Sequence, residues 1–199
     1  MKNVLITGGA GFIAHHIIAY MIKNTDWNIV AIDRLDLSGN LNRLDDILSE
    51  FSVNDKKRLK IVFHDLKAEI NSQISAEVGK PDIILHLAAE SHVDRSIKYP
   101  LEFVNDNVLG TVNLLNFAKN LENLEKFVYF STDEIFGNAP KGVSYKEYDR
   151  YNSTNPYSAS KAVCEILINS FNHSFFNDSR IKIASVRAGN VIGGGDWSE

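Results

Sequence analysis

The run Thr7-Gly8-Gly9-Ala10-Gly11-Phe12-Ile13-Ala14 joins an apolar segment that opens the chain, Asn3-Val4-Leu5-Ile6, to a longer stretch of helical periodicity. A strand that must turn at once into a helix leaves few folds open. Gly8 and Gly11 allow the tight turn and let backbone come close to a ligand, while Ala14 is a small residue where helix packs on strand. The helix N-terminus then presents free N–H groups to a phosphate. The rest of the chain repeats this alternation. Strands are predicted at 2–7, 28–33, 59–64, 82–87, 126–132 and 181–187, and helices at 11–24, 41–52, 68–78, 100–119 and 156–175. Ile83-Ile84-Leu85-His86-Leu87 and Phe127-Val128-Tyr129-Phe130 are apolar on both faces, as parallel strands covered on both sides are. The predicted class is α/β, a Rossmann-type doubly wound parallel sheet. Residues 137–149 lack periodicity and read as a loop near the site.

A glycine turn alone is weak evidence; its context adds to it. The second strand ends at Asp33, 22 residues after Gly11. A carboxylate there accepts hydrogen bonds from a ribose and repels a 2′-phosphate, which favours NAD over NADP; Arg34 beside it pulls the other way. His64-Asp65-Leu66 closes the third strand, where Asp65 suits either an adenine amino group or a helix N-cap. Leu87, Ala88 and Ala89 end the fourth strand with room for a cofactor. Asn107, inside a helical pattern, is placed to brace the sheet.

Ser131-Thr132-Asp133-Glu134 ends the fifth strand, and Tyr157-x-x-x-Lys161 follows on a predicted helix. Residues four apart share a helix face. An ammonium beside a phenol favours the phenolate, a base suited to a sugar hydroxyl. The adjacent carboxylates Asp133 and Glu134 offer a second acid and base, hence a step beyond oxidation such as loss of water. Neighbours on a strand point to opposite faces, so both reach one substrate only if the chain turns there.

Composition narrows the alternatives. The 199 residues suffice for one domain, and a formal net charge of -4 argues against nucleic acid. The dense basic run Lys56-Lys57-Arg58 with Lys60 reads as a solvated connection. The one cysteine, Cys164, reads as a packed small residue. No secretory leader pattern opens the chain and no stretch suits a membrane span, so the cytoplasm is the expected compartment. His92 has no second ligand at useful spacing, and His15 and His16, adjacent on a helix, are not expected to share a face; no metal is expected.

Gly8-Gly9-Ala10-Gly11-Phe12-Ile13, Leu87-Ala88-Ala89-Glu90-Ser91-His92-Val93-Asp94-Arg95-Ser96, Ser131-Thr132-Asp133-Glu134 and Tyr157-Ser158-Ala159-Ser160-Lys161 occur in this order. Together they resemble the extended short-chain dehydrogenase/reductase family, and within it the nucleotide-sugar 4,6-dehydratases typified by the dTDP-glucose enzymes. Arg187-Ala188-Gly189-Asn190-Val191-Ile192-Gly193-Gly194-Gly195-Asp196-Trp197 is similar instead to the CDP-glucose group. The resemblance leaves the nucleotide base open, with dTDP-glucose favoured.

The resemblance implies NAD as cofactor, held by Gly8, Gly11, Phe12, Ile13, Asp33, Asp65, Leu66, Leu87, Ala88, Ala89, Tyr157 and Lys161. Tyr157, with Lys161 and Thr132, is expected to deprotonate the sugar O4 while hydride passes from C4 to NAD+. Glu134 then takes the C5 proton, Asp133 protonates the leaving 6-hydroxyl, and hydride returns to C6. Ser91, Thr132 and Asn190 are expected to contact the nucleoside-diphosphate sugar. Family members run longer, into a substrate domain, so residues 1–199 are expected to be the NAD-binding domain with the substrate domain largely absent. A homodimer is expected through the helices at 100–119 and 156–175, with Val108, Val112, Leu115 and Ile166 as its apolar face or, equally, as core. The rival readings are a nucleotide-sugar 4-epimerase, which needs no adjacent acid and base, and an NAD-binding module without turnover.

Overall fold

The computed structural model describes residues 1–36, 38–176 and 181–195; Asp196 and Trp197 of the glycine-rich segment lie outside the described residues. Six parallel strands form one sheet in the order β3-β2-β1-β4-β5-β6. They are β1 (Asn3–Thr7), β2 (Asn28–Asp33), β3 (Leu59–Phe63), β4 (Ile83–His86), β5 (Lys126–Thr132) and β6 (Lys182–Ala188). All six predicted strands are present, shifted by a residue at most at either end. The order reverses between β1 and β4. The crevice beyond their carboxyl ends is where such a sheet binds ligands.

Period-two side chains explain why the strands read as apolar throughout. Val4 and Ile6 of β1, Ile29 and Ala31 of β2, and Ile83 and Leu85 of β4 enter one core with Ala14, Ile18 and Ile22 of α1 (Phe12–Asn24). Leu5, Ile32 and Ile84 enter the other, with Leu114, Phe127, Cys164 and Ile168. Each such fully buried aliphatic contributes about 1.5–3 kcal/mol. Cys164 is a packed residue, as predicted, with its thiol 3.3 Å from the Asn107 carbonyl.

Helices depart further from expectation. The segment predicted at 41–52 is two pieces, α2 (Leu41–Leu48) and α3 (Val53–Lys56), because Ser52 accepts from Asp55 N and starts a new turn. The predicted 68–78 helix shortens to α4 (Ser72–Val78), capped by Asn71. An unpredicted α5 (Val93–Lys98) precedes α6 (Pro100–Phe103). Pro100 favours a fresh helix start, which separates the two. A π-helical turn (Val104–Leu109) then leads into α7 (Gly110–Ala118). The last helix, α8 (Pro156–Phe171), ends in a second π turn (Asn172–Phe176).

Two sequence readings need correction, and one left open between two alternatives is narrowed. Arg58 is not a solvated loop residue: it donates to the carbonyls of Ile22, Thr25 and Trp27, closing the carboxyl end of α1. Leu115 is fully buried and Val108 packs against the same core, the second of the two alternatives; Ile166, 57% exposed, is the prominent apolar surface residue of the four. The rings of His15 and His16 approach to 4.0 Å between centroids despite their adjacency, because their side chains lean together over the segment 193–195.

Candidate active site

The glycine turn is built around close approaches. Gly8 has φ +70°, and a Cβ on it would lie 2.9 Å from Ala88 Cα. Gly8 N and Gly9 N both donate to Ile32 O, and Gly11 N donates to Gly8 O. Gly11 caps α1 without a side-chain hydrogen bond, so the amides of the first turn face the crevice. Asp33 is buried and already employed: Oδ2 accepts from Ala10 N at 2.9 Å and Oδ1 from Leu35 N at 2.8 Å. Each oxygen keeps a second lone pair for a ligand. Asp65 caps no helix; it accepts from Lys67 N at 2.9 Å in a tight turn, well before α4 begins. The Leu66 side chain belongs to the core, packed near Gly110, which leaves its backbone for any ligand role. Leu87, Ala88 and Ala89 are half-buried beside the turn, while Ser91 and Asn190 are exposed past the ends of β4 and β6.

The catalytic candidates gather past β5. Immediately after Thr132 the chain winds into a 3-10 turn, Asp133–Phe136, begun by Glu134 N donating to Thr132 Oγ1 at 3.3 Å. That turn removes the strand alternation that would separate the two carboxylates. Asp133 stays exposed, with Gly189 against its Oδ2, while Glu134 is half-buried. Asn155 ties this turn to α8. Its Oδ1 accepts from Ser158 N at 2.8 Å as helix cap, and its Nδ2 donates to Glu134 Oε2 at 3.0 Å. Pro156 at the first helical position and the return bond from Asn155 N to Ser158 Oγ complete the start of α8.

Tyr157 and Lys161 are both carried by α8, as predicted, but the expected electrostatics differ. Burial holds the Tyr157 phenol above its ordinary range; a Thr132 hydrogen bond lowers it, and the charges of Glu134 and Asp133 raise it again. Lys161 packs against β5. Its Nζ donates to Phe130 O and lies 4.4 Å from the Tyr129 ring centroid, and burial pulls it down to about 8.

A chain of buried polar groups, passed over in sequence, connects the two halves. Ala88 N donates to Thr7 Oγ1, which meets His86 Nδ1 at 2.7 Å. His86 Nε2 meets Thr111 Oγ1 at 3.0 Å, and Thr111 donates to Asn107 O at 2.6 Å. Because Thr111 spends its proton on Asn107, the ring must donate from Nε2 and accept at Nδ1. Burial pushes His86 down to about 3, aided by the Lys161 charge, so it is neutral. Asn107 braces as expected, pairing with both Glu90 N and Glu90 O and donating to Ser160 Oγ. Behind β5, Glu165 is 2% exposed and accepts from Arg187 at 2.6 Å and from Tyr151 at 2.8 Å. A histidine inside an apolar strand and an Asn before a Pro were the legible signals for His86 and Asn155.

Among the described residues no group of three or more metal-ligating side chains converges, and no helix is long and apolar enough to cross a membrane.

A sequence model described as GDP-mannose 4,6 dehydratase matches residues 5–191. A dTDP-D-glucose 4,6-dehydratase of Dictyostelium discoideum is 38% identical over 100% of this chain and 46% of its own length. Among solved structures, a UDP-N-acetylglucosamine 4-epimerase from Methanobrevibacter ruminantium superposes with a TM-score of 0.80 at 30% identity, over 96% of this chain and 56% of that one. A dTDP-glucose 4,6-dehydratase from Bacillus anthracis, in complex with NAD, gives 0.76 at 27% identity, over 93% and 54%. The chain spans about half the length of the relatives it matches.

Proposed function

The chain belongs to the family described as GDP-mannose 4,6 dehydratase, and on that premise we propose that it carries the dinucleotide site and the catalytic groups of an NAD-dependent sugar-nucleotide 4,6-dehydratase. The substrate is a nucleoside-diphosphate hexose, dTDP-glucose in the first instance. The observation that carries this reading is the 3-10 turn after β5. It sets Asp133 and Glu134 side by side next to Thr132 and Tyr157, a pairing that oxidation alone does not need.

The chain's residues fit a dinucleotide. A Cβ at Gly8 would meet Ala88 backbone at 2.9 Å and one at Gly11 would meet Gly8 O at 2.9 Å, so the turn stays bare beside the open end of α1. Gly8, Gly11, Phe12 and Ile13 would hold the pyrophosphate, Asp33 the ribose, Asp65 and Leu66 the adenine, and Leu87, Ala88 and Ala89 the near side of the crevice. Bound NAD+ would supply the hydride acceptor for the sugar C4 and, once reduced to NADH, the hydride donor for C6. Tyr157, hydrogen-bonded by Thr132, removes the O4 proton. Glu134, steadied by Asn155, removes the C5 proton made acidic by the neighbouring ketone. Asp133, on the exposed side of the turn, protonates the departing 6-hydroxyl. Ser91 and Asn190 sit at the rim to meet sugar and diphosphate. Each positioned proton transfer is worth about 10²–10⁴-fold.

A cytoplasmic location fits the sole cysteine being buried and unpaired. A homodimer is proposed through the exposed apolar residues of α6 and α8, Leu101 and Ile166, and light scattering tests it. The likeness to a 4-epimerase keeps one second reading in play. Mass spectrometry of dTDP-, CDP-, UDP- and GDP-hexoses incubated with the chain and NAD+, with proton NMR of the sugar ring to read its configuration at C4, separates the two. Loss of one water supports dehydration and names the nucleotide. A sugar epimerised at unchanged mass overturns it.

A further inference from the structure

Arg34 follows the ribose-facing Asp33, where an arginine ordinarily serves a 2′-phosphate. Here it makes four hydrogen bonds to carboxylates elsewhere. Its Nε donates to Asp36 Oδ2 at 2.6 Å, Nη1 to Asp106 Oδ1 at 2.7 Å, and Nη2 to Glu90 Oε1 at 2.9 Å and Asp106 Oδ2 at 3.2 Å. Asp65 lies 3.8 Å away as a further ion pair. These partners come from the ends of β2, β3 and β4 and from the π turn, and with Lys67 and Arg95 they line a cavity of about 400 Å³. The arrangement is built rather than casual. Leu35 adopts φ +55°, a conformation disfavoured for a branched side chain, which turns Asp36 back beside Arg34. Asp36 is itself pinned, accepting from Ser38 N and Gly39 N. The Glu90 and Asp106 side chains are only 8% and 10% exposed.

We propose that Asp36, Glu90 and Asp106 clamp Arg34 away from the adenosine ribose and are therefore specificity-determining residues that exclude NADP. The inference rests on the reading of this crevice as a dinucleotide site. A 2′-phosphate would have to break charge-assisted, near-bidentate bonds to recruit Arg34, and would do so facing Asp33, Asp36 and Asp65. The clamp thus converts a residue that would favour NADP into part of an acidic wall. Asp33 alone would leave Arg34 available and discrimination weak.

The test is equilibrium binding of NAD+ and NADP+ by calorimetry to the unaltered chain and to Asp36→Asn, Asp106→Asn and the double variant, with melting curves as the folding check. The Asp36→Asn change keeps the Oδ1 acceptor that Ser38 N and Gly39 N require. Releasing two charge-assisted partners is expected to raise NADP+ affinity about 10- to 100-fold, with NAD+ within about threefold. Adding Arg34→Ala to the double variant removes the gain. Arg34→Ala alone gives no gain in the NADP+/NAD+ ratio, because the arginine is already occupied. The single variants give smaller gains of the same sign and carry the test should the double variant not fold. An unchanged ratio in folded variants, or a gain that survives Arg34→Ala, overturns the clamp. Absence of NAD+ binding by the unaltered chain would instead remove the dinucleotide reading, and the clamp with it.

Discussion

Acidification is the sharpest probe of the buried relay through His86. The ring is 1% exposed, and burial pushes its pKa to about 3 from an ordinary 6.5. In the native state it stays neutral, donating from Nε2 to Thr111 and accepting from Thr7. The unfolded chain binds a proton near 6.5. Between those values the unfolded state holds more protons, so stability falls as pH falls, by about 1.4 kcal/mol per unit. The contribution is fully present above pH 6.5. From pH 6.5 to 5 the loss is about 2 kcal/mol, a large fraction of a typical domain's stability. Urea unfolding followed by tryptophan fluorescence at half-unit steps reads it. His15, also lowered mainly by burial, adds a loss of the same sign, so the comparison is with His86→Gln. That variant is less stable at pH 7, but its slope against pH is shallower by about one proton. Parallel curves for the two proteins between pH 6.5 and 5, or a His86 ring resonance titrating near 6.5, would refute the reasoning.

Gly8→Ala puts a Cβ at 2.9 Å from Ala88 Cα at φ +70°. It is expected to cost about 1–2 kcal/mol in backbone strain and at least tenfold in NAD+ affinity by calorimetry; full retention of binding would contradict the crevice. Glu134→Gln should slow water loss about 10²–10⁴-fold while NAD+ binding stays intact, and dehydration at the parent rate would sink its role as base. Arg187→Met strands the Glu165 carboxylate, which Arg187 and Tyr151 now hold below its ordinary range against burial. The expected loss is about 3–5 kcal/mol in urea unfolding, largely recovered in Arg187→Met with Glu165→Gln. A loss below about 1 kcal/mol would mean that the pair is solvated and gives little.

The sheet was legible because its signal is local. Runs such as Ile83-Ile84-Leu85 must be strands buried on both faces, and the glycine turn fixes where the first of them stops. The helices were less so, since caps act through single side chains: Ser52 divides one predicted helix and Pro100 separates another from α5. At the site, Asp133, Glu134, Tyr157 and Lys161 could be named from spacing. Arg58, Arg34 and Arg187 could not be assigned from sequence, because each finds carbonyls or carboxylates far away in the chain. Polar residues held by long-range partners carry no periodicity. The same holds for His86, whose tautomer depends on Thr7 and Thr111, 79 and 25 positions away.

The surroundings of Tyr157 bear on the order of the proposed steps. Spacing alone suggested that Lys161 supplies the charge that makes the phenol a base. In the folded chain that ammonium is turned to Phe130 O and the Tyr129 ring, and the groups that act on Tyr157 are Thr132, Glu134 and Asp133. Thr132 favours the phenolate, and the two carboxylate charges oppose it. Under the proposed reaction Asp133 must carry a proton to act as an acid toward the 6-hydroxyl. Protonation of Asp133 removes one of the charges that hold the Tyr157 proton in place. The form competent to finish the elimination is therefore also the form that best begins the oxidation. Under the proposed roles, the 3-10 turn after β5, which sets both carboxylates beside one tyrosine as a straight strand would not, would couple the two proton transfers.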